Sequence, residues 1–120
     1  MADELKLRFG ADFAKGSAVA SMESQTQSVT VAGTRYIHTV QTIDTSAEAM
    51  TQGDVGTPGY ILAHNLDATN YVEIGYDDTG FKPLIRLNAG ERACFRSTQA
   101  APQAQANTAA VELEFIMFEA

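Results

Sequence analysis

Residues 53–95 read GDVGTPGYILAHNL, DATNYVEIGYDDTGF and KPLIRLNAGERACF, and they carry the clearest indication of the fold class. Runs rich in β-branched, aromatic and other apolar residues alternate with clusters of Asp, Asn and Gly, a pattern typical of strands joined by tight turns. Pro83 has no amide hydrogen to donate, so its strand should lie at a sheet edge or begin after it. We expect strands over residues 60–65, 71–76, 81–87 and 92–96.

Segments on both sides of this stretch also favour strands. Leu5, Leu7 and Phe9 alternate with basic residues, which predicts a strand over residues 4–10. Residues 35–43 are rich in β-branched and aromatic types and are expected to be a strand covered on both faces. The last strand is the clearest, because its apolar residues share one parity and two glutamates the other; the apolar set is Val111, Leu113, Phe115 and Met117.

Three segments are predicted to differ from this strand pattern. Residues 17–30 have almost no large apolar side chains and should be a loop with one weak strand around residues 29–31. Thr45 and Glu48 have the spacing of a capping box, which favours one short helical turn before Gly53. Residues 97–109, STQAAPQAQANTA, are small and polar and indicate an exposed low-complexity loop.

Length and composition indicate one folded domain over residues 1–120. The chain is 45% apolar and 19% charged, which is ordinary for a globular protein. The expected fold is therefore an all-β, single-domain β-sandwich or jelly-roll-like antiparallel sheet with one short helical turn.

Charge and hydropathy bear on partners and location. The net charge of −7 makes nucleic acid and anionic lipid unfavourable partners. The longest apolar runs are far shorter than the roughly 20 residues of a membrane helix. The acidic start MADELKLRFG does not have the pattern of a signal peptide, so we expect a protein made in the cytoplasm, which neither enters a membrane nor binds nucleic acid.

The sequence contains no recognisable enzyme site. His38 and His64 lack the spacing of metal ligands, and a site using them would need a carboxylate such as Asp54 or Asp67 brought near by folding. Cys94, the only cysteine, lies in RACFR without a neighbouring histidine that could act as base. We therefore expect no catalytic residues, no cofactor and no bound metal.

A small group of arginines is the best candidate for a contact surface. Arg86, Arg92 and Arg96 are three of the eight basic residues and fall on a predicted hairpin, with Arg92 and Arg96 on one strand face. They could be a solvated face or could pair with carboxylates of a neighbouring subunit.

Two apolar residues of the last strand suggest a second contact. Ile116 and Phe118 occupy the parity opposite Phe115 and Met117. A sheet covered on one side would leave them facing water, so either the domain itself or another subunit should cover them.

The chain resembles small structural proteins of tailed bacteriophages. The resemblance is carried by GDVGTPGYILAHNLDATNYVEIGYD, by LNAGERACFR with the Ala- and Asn-rich loop after it, and by LKLRFGADFAKG and TRYIHTVQTIDTSAEAM. It implies a virion component, such as a capsid decoration (cement) protein or a small tail or neck protein. Its partners would be further copies of the chain, the major capsid protein or other virion proteins.

Three functional classes follow from these observations. The first is a structural virion protein held by contacts between subunits. The second is a carbohydrate-binding β-sandwich on the virion, although the chain has no Trp to act as a sugar platform. The third is a cupin-like enzyme, which would need a cluster of His and carboxylate ligands that two scattered histidines do not supply.

Overall fold

The computed structural model describes residues 4–120, and their regular structure is entirely β. This confirms the all-β prediction. No helix long and apolar enough to cross a membrane occurs in the described part of the chain. Ten strands are described: β1 Leu5–Lys15, β2 Ala18–Val29, β3 Tyr36–Ile43, β4 Glu48–Ala49, β5 Pro58–Asn65, β6 Val72–Asp77, β7 Phe81–Leu87, β8 Arg92–Arg96, β9 Gln103–Ala106 and β10 Val111–Glu119.

The chain divides into two compact units. The first unit ends at Ala32, and the second is Gly33–Ala120. The first contains the antiparallel pair β1-β2, which we call the ribbon, and the second contains the remaining eight strands. The division arises because β1 and β2 pair only with each other, whereas the other strands share two sheets and one core.

The ribbon is a long hairpin closed by the two residues Gly16 and Ser17. Gly16 has φ +61°, a backbone angle that glycine adopts without steric cost at the first position of a tight hairpin turn. Residues 17–30 were predicted to be mostly loop, and this prediction is wrong because β2 occupies Ala18–Val29. Its polar residues form a regular strand because β1 supplies backbone partners along its length.

The second unit is a sandwich of two four-stranded antiparallel sheets. The first sheet has the order β3-β10-β5-β8, and the second has the order β4-β9-β6-β7. The β7 strand lies at an edge, as Pro83 predicts. A single apolar cluster draws on strands of both sheets, including Phe115 and Ile61 from the first and Val72 and Ile74 from the second. The strands predicted from residues 53–95 therefore lie in two packed layers.

The predicted helical turn does not form. Residues 45–46 are a bend, and Glu48–Ala49 is the short strand β4, paired with β9. The Glu48 carboxylate accepts hydrogen bonds from the Asp44 amide and from the Gln41 side chain instead of capping a helix. A helix of one or two turns has too few hydrogen bonds to offset its nucleation cost, so pairing with β9 prevails.

The predicted exposed loop over residues 97–109 is also corrected. Gln103–Ala106 forms β9, which lies between β4 and β6 in the second sheet. Ala104 and Ala106 are buried, and the glutamines beside them point to the other face. The small side chains of this segment predicted a loop. In QAQA, however, Gln and Ala alternate strictly, and the two alanines form the inward-facing side of the strand.

Candidate interaction surface

The outer faces of the two sheets have different compositions. We call the side of the first sheet that points away from the core its outer face. On this face the side chains of four strands lie side by side. They are Tyr36, His38, Val40 and Thr42 of β3, Glu112, Glu114, Ile116 and Phe118 of β10, Tyr60, Leu62 and His64 of β5, and Arg92, Cys94 and Arg96 of β8.

One half of the outer face is apolar and aromatic. Phe118 lies opposite Tyr36, and Ile116 lies between His38 and Leu62. Ile116 and Phe118 are half-buried by neighbours in their own sheet, and Tyr36 is 63% exposed. Because β10 is a central strand, these side chains form a contiguous patch open to solvent.

The outer face of the second sheet is polar, and its side chains bond to one another. Arg86 donates two hydrogen bonds, of 3.1 and 3.0 Å, to one carboxylate oxygen of Glu73. Its guanidinium lies 3.9 Å from the centre of the Tyr71 ring. Gln105 donates a hydrogen bond of 2.8 Å to the Thr45 carbonyl. Arg86, Glu73 and Gln105 therefore bond within the chain.

The three arginines do not form one cluster. Arg86 is on β7 in the second sheet, whereas Arg92 and Arg96 are on β8 in the first. The predicted hairpin does not form, because the chain crosses from the second sheet to the first between β7 and β8. The side on which Arg86 points therefore cannot be inferred from the positions of Arg92 and Arg96. Arg92 and Arg96 share the outer face with Ile116 and Phe118, and the Arg96 guanidinium lies 5.3 Å from the centre of the Tyr60 ring.

A carboxylate between two histidines occupies the middle of the outer face. The Glu114 Oε2 atom is 2.9 Å from His38 Nε2, and its Oε1 atom is 3.6 Å from His64 Nδ1. The three side chains come from the adjacent strands β10, β3 and β5. Folding thus brings a carboxylate to the two histidines, but it is Glu114 and not Asp54 or Asp67.

The histidines stabilise the ionised form of that carboxylate. The hydrogen bond with His38, followed by the charge of His38 and the contacts with His64, holds the pKa of Glu114 below its usual range. Each carboxylate oxygen of Glu114 faces a different histidine. Across residues 4–120, no group of three or more His, Cys, Asp or Glu side chains has a geometry that could hold a metal ion.

Neither Cys94 nor the crevice near it has the properties of an active site. Burial raises the pKa of the Cys94 thiol, which disfavours the nucleophilic thiolate. A crevice lined by Leu84, Phe95 and Pro102 has a volume of about 150 Å³. That is smaller than the roughly 300 to 1,000 Å³ of typical small-molecule sites.

Asn65, which the sequence analysis did not single out, organises the turns at one end of the sandwich. It is fully buried, and its amide donates to the carbonyls of Asn70, Leu87 and Asn88. Its Oδ1 accepts a hydrogen bond from the Asp67 amide. Asp67 in turn accepts hydrogen bonds from the amides of Asn70 and Thr69, which hold its own pKa below the usual range. One feature of the sequence indicates its role. Asn65 occupies an inward-facing position of β5, where an apolar residue is expected.

Comparison with known proteins gives no relative from which a function could be transferred. No family model matches the chain, and neither a curated protein nor a solved structure matches it. The assignment of a function therefore depends on the chain's own residues.

Proposed function

We propose that this chain is a structural subunit of a bacteriophage virion, most specifically a capsid decoration protein that stabilises the particle through contacts between subunits. The observation that carries the proposal is the apolar patch on the outer face of the first sheet. The sequence resemblance to phage structural proteins supplies the biological setting. The outer face of the second sheet is more polar. This difference supports the outer face of the first sheet, and not both outer faces, as the contact surface.

The outer face has the composition of a protein interface. Aromatic and aliphatic side chains form its apolar half, which Arg96 borders beside Tyr60. The other half carries the charged residues Arg92 and Glu112. Aromatic residues and arginine are enriched in the cores of protein interfaces, which have a polar rim. A partner with a complementary apolar surface would complete the burial of Ile116 and Phe118.

The free energy that this contact contributes per subunit is small, but the contact is repeated in every copy. Fully burying a large apolar side chain contributes roughly 1.5 to 3 kcal/mol, so completing two half-buried ones would contribute about 2 kcal/mol per copy. A decoration protein occupies many equivalent positions on one particle, so modest contacts sum to a large stabilisation.

The double substitution Ile116→Ser and Phe118→Ser tests the proposal on purified phage particles. The matched control is Leu84→Ser, because Leu84 is 64% exposed on β7 of the second sheet. The double variant should fold, by circular dichroism and thermal melting, and should be lost from particles during density-gradient purification. The control should be retained. A folded double variant that is retained as well as the unmodified chain would refute the role of this face.

A carbohydrate-binding module on the virion is the second candidate, and the exposed Tyr36 ring favours it because aromatic rings stack on sugars. In that case Tyr36→Ala should abolish binding to host-surface polysaccharide while leaving the chain attached to particles. The decoration role predicts no such polysaccharide binding. The copy number of the chain per particle distinguishes a tail or neck location from decoration of the capsid, because a tail or neck has far fewer equivalent positions than a capsid.

A further inference from the structure

The β1 strand has a long backbone edge with no partner in the described chain. The ribbon is a two-stranded sheet, so one edge of β1 pairs with β2 and the other pairs with no described strand. From Arg8 to Lys15 every side chain of β1 is exposed. An open edge of this length presents unpaired amide and carbonyl groups that another strand can take up.

The two faces of the ribbon differ in polarity. One face carries the odd-numbered residues of β1, which are Leu5, Leu7, Phe9, Ala11, Phe13 and Lys15. Opposite them on β2 lie Val29, Gln27, Gln25, Met22, Ala20 and Ala18. The other face carries Lys6, Arg8 and Asp12, with Ser28 and Thr26 opposite the two basic residues. Leu7 is buried, but Phe13 is 52% exposed and Met22 is 69% exposed, so the face is uncovered toward the hairpin turn. A two-stranded sheet is marginally stable in water, and three or more strands with an apolar face are needed for independent stability.

We propose that β1 pairs antiparallel with β1 of a second copy of the chain about a two-fold axis at Gly10. The result is a four-stranded sheet in the order β2-β1-β1-β2, in which the two central strands are apolar on one face from Leu7 to Phe13. At each end of this face Leu5 lies opposite Lys15 of the second copy. In this register Arg8 lies opposite Asp12 of the second copy, and Asp12 opposite Arg8. On the apolar face Leu7 lies opposite Phe13, and Phe9 opposite Ala11.

The sequence of β1 is complementary to itself in this register. Gly10 is the midpoint of Leu5–Lys15, so all 11 residues find a partner. Opposite charges meet twice, and cross-strand pairs of opposite charge stabilise a sheet whereas like charges opposite one another destabilise it. Arg8 and Asp12 form no ion pair with another described residue of their own chain, so both charges are available to a partner.

Neighbouring registers pair fewer residues. A shift by two residues in one direction pairs only residues 5–13; it replaces the two Arg8–Asp12 pairs with two Lys6–Asp12 pairs and places Arg8 opposite Gly10. The opposite shift pairs only residues 7–15 and places Asp12 opposite Gly10. A shift by one residue would bring apolar side chains to the polar face.

The free edge of β2 is a poorer partner. An extra residue in β2 interrupts the pairing between Phe9 and Ala11, which is a β-bulge, and bulges distort an edge so that strands do not add to it. Glu23 is the only charged residue of β2, so this strand offers no opposite charges for self-pairing. The pairing of β1 with β1 is therefore the one that both shape and charge favour.

Charge reversal in the full chain tests the pairing by sedimentation equilibrium. Arg8→Asp and Asp12→Arg should each weaken dimerisation about tenfold, because two attractive exposed pairs become two repulsive ones. The double variant restores opposite charges and should dimerise within about threefold of the unmodified chain. Lys6→Asp, the matched control, changes charge on the same face opposite Ala14 and should have no comparable effect.

Several outcomes would overturn the proposal. A chain that stays monomeric at all concentrations refutes it, and so does a dimer unaffected by either single reversal or not restored by the double variant. An effect of Lys6→Asp as large as that of Arg8→Asp would refute the register centred on Gly10, because it would indicate pairing of Lys6 with Asp12.

Disulfide cross-linking provides a second measurement that does not depend on charge. In a Cys94→Ser background, Arg8→Cys mixed with Asp12→Cys should form a mixed dimer on mild oxidation, since residues directly opposite have Cα atoms about 5 Å apart. Lys6→Cys mixed with Asp12→Cys should not, and equal yields from both mixtures would refute the register. The Ile116→Ser and Phe118→Ser variant should still cross-link through β1, so failure of this proposal is distinguishable from failure of the proposed function.

Discussion

The ribbon and the sandwich use the same alternation of side chains with opposite results. In the sandwich, the four inward-facing residues of β10, from Val111 to Met117, are at most 1% exposed. In the ribbon, Leu7 is the one buried side chain among the described residues, and Phe13 is 52% exposed. Alternation therefore produces a strand in both units, but burial requires a second layer, which the ribbon by itself does not have.

The difference separates stability from assembly. A sandwich with one apolar cluster contributed by two sheets can fold without partners. The ribbon has one buried side chain, Leu7, among the described residues, and it presents an open edge and exposed apolar side chains such as Phe13. We therefore expect the stability of the chain to be determined by the sandwich, and the ribbon to act in contacts with other chains.

Shortening one phenylalanine in each unit should show the largest difference. Phe115→Ala removes a fully buried ring from the core and should lower the free energy of unfolding by about 3 to 5 kcal/mol. Phe13→Ala, the matched change in the ribbon, should alter it by less than about 0.5 kcal/mol. Urea denaturation of both variants measures the difference. Equal losses would mean that the ribbon belongs to the same cooperative core.

Two glycines at bulges allow a smaller comparison. A Cβ on Gly75 would collide with the Lys82 carbonyl, and one on Gly10 would lie 2.9 Å from the Ser24 Cα. Gly75→Ala should lower global stability by about 1 to 3 kcal/mol, because β6 is a central strand of the sandwich.

Gly10→Ala should speed amide hydrogen exchange within β1 and β2 while leaving the exchange of β10 unchanged. Gly56→Ala is the control for both, since its Cβ would be in ordinary contact, 3.6 Å from the Glu119 carboxylate. A change in the global free energy of unfolding in Gly10→Ala would contradict the independence of the two units.

Acid should weaken the sandwich through Glu114 and Asp67. Both carboxyls have folded-state pKa values below their ordinary range, so their stabilisation is complete above the unfolded-state pKa, about 4. It is lost as the pH falls from there through the lower folded-state values. Glu114→Gln should reduce the dependence of thermal stability on pH in this window. An unchanged dependence would indicate that the contacts with His38 and His64 do not stabilise the carboxylate.

Removal of the ribbon should have the smallest effect. Residues 33–120 contain the whole apolar cluster, so this fragment should unfold cooperatively at a urea midpoint close to that of the full chain. Differential scanning calorimetry or urea titration would measure it. A fragment that does not fold would show that the ribbon contributes to the core.

The sequence predicted strands well where alternation was combined with turn signals. The strands over residues 81–87 and 92–96 agree with β7 and β8, and the bounds of β3, β5, β6 and β10 differ from their predictions by one or two residues. β1 was predicted to end at residue 10 but extends to Lys15. β3 was expected to be covered on both faces, and this is wrong, because Tyr36 and Val40 on its outer face are 63% and 50% exposed. Two of the missed strands, β2 and β9, have mostly Ser, Gln and Ala side chains, which carry little hydrophobic signal. The third, β4, has only two residues. The two-residue turn Gly16-Ser17 would have indicated the hairpin that contains β2.

The candidate surface was predicted in part. Parity alone identified Ile116 and Phe118 as facing away from the core, and the structure places Arg92 and Arg96 on the same face. Arg86 was misplaced because sequence proximity does not show that the chain crosses between sheets after β7. The contact of Glu114 with two histidines joins strands that are far apart in sequence, so no local sequence pattern predicts it.

The sequence by itself therefore determined the β class, most strand positions and the inward parity of each strand, because these depend on residues two positions apart and on turn chemistry. Tertiary structure alone decided which strands are neighbours, that β1 and β2 stand as a separate unit, and which outer face is apolar. These properties arise from pairings between distant segments, whose free energies depend on how well whole faces pack and not on any local pattern.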